Sequence, residues 1–109
     1  MAIISKENLK EKNMYAVTFD IDTNCLGDQY HNNSSSNAYG DIRKFMEANN
    51  FAWQQGSVYF GNEKITAVSC VMTIQQLAKK YPWFTACVKD VRMLRIEENN
   101  DLMPALGLL

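Results

Sequence analysis

The chain has 109 residues, 47% hydrophobic and 21% charged, which suffices for one core, leaves no room for a second domain and excludes a disordered chain. Lysine and arginine number 11 against 12 acidic residues, a net charge of −1, so the chain does not coat nucleic acid by bulk electrostatics and any basic site is local. The single histidine, His31, excludes a two-imidazole acid/base pair, and no apolar run approaches the roughly 20 residues that cross a membrane.

Residues 1–13 are polar and lysine-rich without a period. They read as a flexible N-terminal extension, with charges where a secretory signal would be apolar, ahead of a single domain over 14–109. From Met14 the pattern changes: Tyr15, Val17, Phe19 and Ile21 alternate with Ala16, Thr18, Asp20 and Asp22. That period of two predicts a strand with one apolar face and one that turns acidic. Residues 23–37 are dense in Asn, Asp, Gly and Ser, which predicts a long mobile loop without regular structure. Tyr39, Ile42, Phe45 and Met46 recur at helical spacing and predict a helix over 38–49.

Phe51–Gln54 and Ser57–Phe60 flank Gln55-Gly56 and predict a hairpin. Ala67, Cys70, Val71, Ile74, Leu77, Ala78 and Tyr81 predict a second amphipathic helix, stopped by Pro82. Residues 87–98 again read as strand, with Val91, Met93 and Arg95 on one side and Arg92, Leu94 and Ile96 on the other, ahead of an apolar tail over 102–109. Cys25, Cys70 and Cys87 contain no C-x-x-C pair and leave one odd. They suit the reducing cytosol, so a cytoplasmic protein is expected.

The order β, α, β, β, α, β predicts an α+β, ferredoxin-like fold: a four-stranded antiparallel sheet with two helices on one face. The other face, carrying Asp20 and Asp22, is left bare. With the apolar tail it predicts a twofold homodimer.

Three segments carry a family resemblance: Met14-Tyr15-Ala16-Val17-Thr18-Phe19-Asp20, Gln55-Gly56-Ser57-Val58-Tyr59, and Val88 through Glu97. In order and separation they resemble virulence-associated protein D, VapD, over residues 14–103, and at fold level the small CRISPR-associated nuclease-like subunit. The resemblance implies a ferredoxin-like homodimer and a toxin endoribonuclease paired with a small antitoxin. It places the family's first-strand aspartate on Asp20 and its Gly-Ser-Val-Tyr segment on Gly56 to Tyr59.

The residues suggest how such a site would work. Asp20 and Asp22, two apart on a strand, lie roughly 6.6 Å apart on one face and would flank a Mg²⁺ ion. Without metal, Asp20 with a raised pKa would take the proton of a ribose 2′-OH while a cation stabilises the phosphorane. Ser57 is a phosphate contact and Tyr59 a stacking surface for a base; with Asp20 they form the candidate catalytic set. Arg43, Lys89, Arg92 and Arg95 are the cations for RNA phosphate. His31 lacks a second ligand at metal spacing, Cys25 reads as exposed, and Trp53 and Trp83 read as core anchors. The competing reading is a non-catalytic dimer that serves as an interaction module for an antitoxin or a nucleoprotein complex.

Overall fold

A computed structural model describes residues 14–30 and 35–107; the proposed extension over 1–13 and His31 lie outside the described residues. Strand β1 (Met14–Ile21) is followed by helices α1 (Thr23–Gln29) and α2 (Ser35–Ala48), then the hairpin strands β2 (Phe51–Gln55) and β3 (Val58–Gly61). Helices α3 (Ala67–Lys80) and α4 (Pro82–Cys87) lead into β4 (Val88–Ile96), and a 3₁₀ turn spans Met103–Leu106. The sheet order is β2-β3-β1-β4 with every neighbouring pair antiparallel. This is the ferredoxin-like topology expected from the pattern, with β3 inserted between β1 and β2.

Alternation on β1 decides the layers. Val17, Phe19 and Ile21 are buried on the helix-covered face. Against them pack Ala38, Ile42 and Met46, at helical spacing on α2, and Cys70, Thr73 and Leu77 on α3. Tyr59 of β3 stacks on Phe19 with centroids 5.9 Å apart, and Phe84 of α4 meets the same ring edge-on at 5.7 Å. Trp83 is core, as expected, and stands edge-on to Tyr30 at 5.0 Å. At Gly61, the last residue of β3, Ile65 comes so close that a Cβ would sit 2.8 Å from its side chain, so the position requires glycine.

The structure corrects the sequence reading at one end of the sheet. The segment expected as irregular loop contains α1, whose start is set by Asp22: its Oδ1 accepts from the backbone N–H of Asn24 at 2.9 Å and of Cys25 at 3.2 Å. Leu26 then anchors the helix in the core. Pro82 stops α3 and also opens α4, where its missing N–H costs nothing in the first turn. The Asp22 N–H donates to the Cys87 carbonyl at 3.0 Å, and Cys25 and Cys87, 62 residues apart, are joined by a disulfide. The expectation of three reduced thiols therefore fails, because topology and not spacing brings α1 beside the α4–β4 junction. Cys70 remains a buried thiol whose pKa is raised by burial.

Candidate active site

Asp20 stands at the exposed end of β1, its side chain 67% accessible. Directly opposite it on β4 is Asp90, and at the next position Ile21 pairs with Val88. The register skips Lys89, making it the extra residue of a β-bulge, and bulges re-aim side chains. Here the bulge brings the Lys89 ammonium to 3.7 Å from Asp20 Oδ2. Two carboxylates facing each other across a strand pair repel. That repulsion is offset by Lys89 on Asp20 and by Arg92, whose Nε donates to both Asp90 oxygens at 3.0 and 3.2 Å. The result is an exposed patch of alternating charge, Asp20, Lys89, Asp90 and Arg92, on an otherwise bare sheet face. Asp90 is the member that sequence reasoning missed; its alternation with Arg92 was visible, but its partner depends on the bulge.

The other candidates divide. Asp22 is not a second strand carboxylate: β1 ends at Ile21 and its carboxylate caps α1, so the Asp20–Asp22 metal pair is withdrawn. Among the described residues no three metal-ligating side chains converge. Asp20 and Asp90 remain as hard-oxygen donors of the kind Mg²⁺ takes, each facing a cation, Lys89 and Arg92. Arg95 stands opposite Tyr15, at the far end of β4, and pairs with Glu97, so it does not join the site.

Arg43 and Ser57 belong to a second feature, a cavity of about 460 Å³ between α2 and the β2–β3 turn, lined by Tyr39, Gly40, Arg43, Trp53, Ser57 and Tyr59. Gly56 turns this hairpin at φ 50°, and its carbonyl accepts from Trp53 Nε1 at 2.9 Å. Trp53 is thereby held at the surface, 41% exposed, contrary to its expected place in the core. The Arg43 guanidinium lies 4.4 Å above its ring and donates to Glu47 at 3.2 Å. Tyr59 differs in the opposite direction: it is 3% exposed with its ring stacked on Phe19, so it has no free face for a base. Burial pushes its phenol up to about 12, with Arg43 lowering it and Glu47 raising it, so it keeps its proton at neutral pH and is no base there. The cavity adjoins the Asp20 end of β1. The Phe19 N–H donates to the Ser57 carbonyl at 3.2 Å, and the Tyr39 hydroxyl is held above its usual pKa by burial and by the charge of Asp20.

Residues 13–103 match the family model of CRISPR associated protein Cas2. The chain is 66% identical over 96 residues to the endoribonuclease VapD homolog of Helicobacter pylori, covering 88% of this chain and 99% of that protein. The chain belongs to the VapD family. It is also 61% identical to endoribonuclease VapD 2 of Riemerella anatipestifer over 94 residues, 86% of this chain and all of that protein. VapD of Dichelobacter nodosus, likewise named an endoribonuclease, is 33% identical over 90 residues, 81% of this chain and 91% of its own length. In this VapD chain the charged patch and the lining of the cavity both fall inside the segment matched by the Cas2 model.

Proposed function

We propose that this VapD-family chain is an endoribonuclease in which Asp20 is the general base for cleavage at a ribose 2′-OH. The carrying observation is the Asp20–Lys89 pair at 3.7 Å on an exposed strand end, beside a second carboxylate–cation pair; the names of the VapD relatives, endoribonucleases at 61% and 66% identity, support the same reading. Asp20 accepts the 2′-OH proton, the O2′–P bond forms and the P–O5′ bond breaks. Lys89 and Arg92 neutralise the phosphorane, and the Lys89 ammonium returns a proton to the departing O5′. Ser57 contributes a hydroxyl to phosphate. The products would carry a 2′,3′-cyclic phosphate and a 5′-hydroxyl.

A bound Mg²⁺, held by Asp20 and Asp90, would supply charge neutralisation and an activated water. End-group analysis of cleaved RNA by mass spectrometry, with Mg²⁺ and with EDTA, tests the proposal. Cyclic phosphate ends that persist in EDTA support it; 5′-phosphate ends that vanish in EDTA replace it with metal-assisted hydrolysis.

The molecular setting belongs to the same proposal. β4 is an edge strand of nine residues with Leu94 exposed, and Leu102, Met103 and Leu106 are exposed beyond it. Such an edge is protected in a homodimer. Val68, Val71 and Met72 are exposed along α3 and give a small antitoxin an apolar surface. A cytoplasmic location remains part of this reading; none of the described helices is long and apolar enough to cross a membrane. The same apolar surfaces favour the alternative, a non-catalytic interaction module, which predicts no cleavage at any metal concentration.

A further inference from the structure

We propose that the cavity between α2 and the β2–β3 turn is a subsite for one unpaired nucleobase of the RNA, stacked on the Trp53–Arg43 platform. The inference rests on the endoribonuclease reading for the identity of its ligand, and it assigns the cavity a part in substrate selection that the Asp20 patch alone does not provide.

Three observations carry it. First, the platform is prebuilt. The indole is pinned through Nε1 to the Gly56 carbonyl at 2.9 Å, the guanidinium lies 4.4 Å over its ring, and Glu47 holds that guanidinium at 3.2 Å. Surfaces already ordered before binding lose little entropy on contact, and unpaired RNA bases stack on aromatic rings and on arginine planes. Second, the space suits such a ligand. The volume of about 460 Å³ falls in the range of about 300–1,000 Å³ typical of small-ligand sites. Trp53 is 41% exposed, so part of its indole, together with the Arg43 guanidinium over its ring, is presented to solvent. Third, the cavity opens next to the proposed chemistry. Tyr39 on its wall feels the charge of Asp20, and Ser57 on its floor is hydrogen-bonded through its carbonyl to Phe19, the residue before Asp20.

Gly40 provides an independent probe. It lines the cavity from α2, and a Cβ built on it meets nothing within 4 Å. Gly40→Leu therefore fills the space from one side while raising helix propensity. The experiment measures binding by fluorescence anisotropy of a labelled, 2′-O-methylated RNA tetramer, which cannot undergo 2′-OH attack, together with a set in which each base in turn is removed. Thermal melts confirm that each variant is folded.

For the wild type, loss of the base at one position is expected to weaken binding about tenfold. Trp53→Ala and Gly40→Leu weaken the intact tetramer by a similar factor and become indifferent to base removal at that position, whereas Trp53→Phe keeps most of the affinity. Wild-type affinity in both Trp53→Ala and Gly40→Leu, or a base-removal penalty that survives in Trp53→Ala, overturns the inference, as does a wild type that does not bind the tetramer. Cleavage of ordinary RNA by the wild type is scored separately. A cleaving enzyme with an indifferent Trp53→Ala loses only the subsite, and a positional binding pattern without cleavage leaves the subsite and removes the nuclease.

Discussion

Asp20 and Lys89 lie at 3.7 Å with both side chains more than half accessible, an arrangement that contributes about 0–1 kcal/mol to stability. Its value is positional: the bulge at Lys89 places a cation on the carboxylate to which the family resemblance assigned the first-strand aspartate. Tyr59 shows the opposite balance. Its phenol, raised by burial to about 12, keeps its proton in the folded state where the unfolded chain has lost it, so the unfolded state binds fewer protons above pH 10 and stability falls with rising pH. The melting temperature is expected to be insensitive to this group below about pH 10 and to decline as pH rises from there toward 12. Tyr59→Phe should flatten part of that decline in melts taken from pH 8 to 11.5, and an unchanged slope contradicts the assignment. At this scale the alternation over 14–22 put Asp20 and Asp22 on one strand face, and the family resemblance singled out Asp20. The alternation misled about Asp22, because the strand ends one residue earlier and the carboxylate turns to cap a helix. It also could not show Asp90 as the facing carboxylate, since that depends on a bulge encoded in no local pattern.

The elements themselves were legible wherever an apolar period ran long enough. α2, α3, the hairpin and β4 all follow their repeats to within a few residues. α1 is the exception: Asn24, Gly27 and Asp28 are turn formers, and a seven-residue helix is marginal alone. It exists because Asp22 caps it, Leu26 buries in the core and Cys25 is tied to Cys87. Asp22→Ala should cost about 1 kcal/mol, read as a drop of a few degrees in melting temperature. Reduction with dithiothreitol should lower it further, since closing a loop of this length contributes about 2–4 kcal/mol. Because both ties hold the same short helix, the two losses should not add; strict additivity, measured by melting the variant with and without reductant, contradicts a shared role. The disulfide was the least legible feature, as three cysteines without a spacing motif say nothing about which two the fold will bring together.

For the whole molecule, the topology was recoverable because β, α, β, β, α, β admits few antiparallel arrangements, while the cavity was not, because it arises where α2 meets a turn that swings Trp53 outward. The sheet leaves an apolar edge on β4, and Leu94, 48% exposed, sits on the same bare face as the charged patch. Sizing chromatography is expected to give twice the monomer mass, and Leu94→Asp should shift it toward monomer; an unshifted variant contradicts pairing through this face. The central claim is that Asp20 carries the cleavage chemistry. It is tested most directly by a time course on labelled single-stranded RNA with wild type and Asp20→Asn purified identically. The account predicts cleavage by the wild type and a loss of at least about a hundredfold in the variant, as expected for removal of a general base, with both proteins melting within a degree or two of each other. Equal cleavage by the two proteins would contradict it.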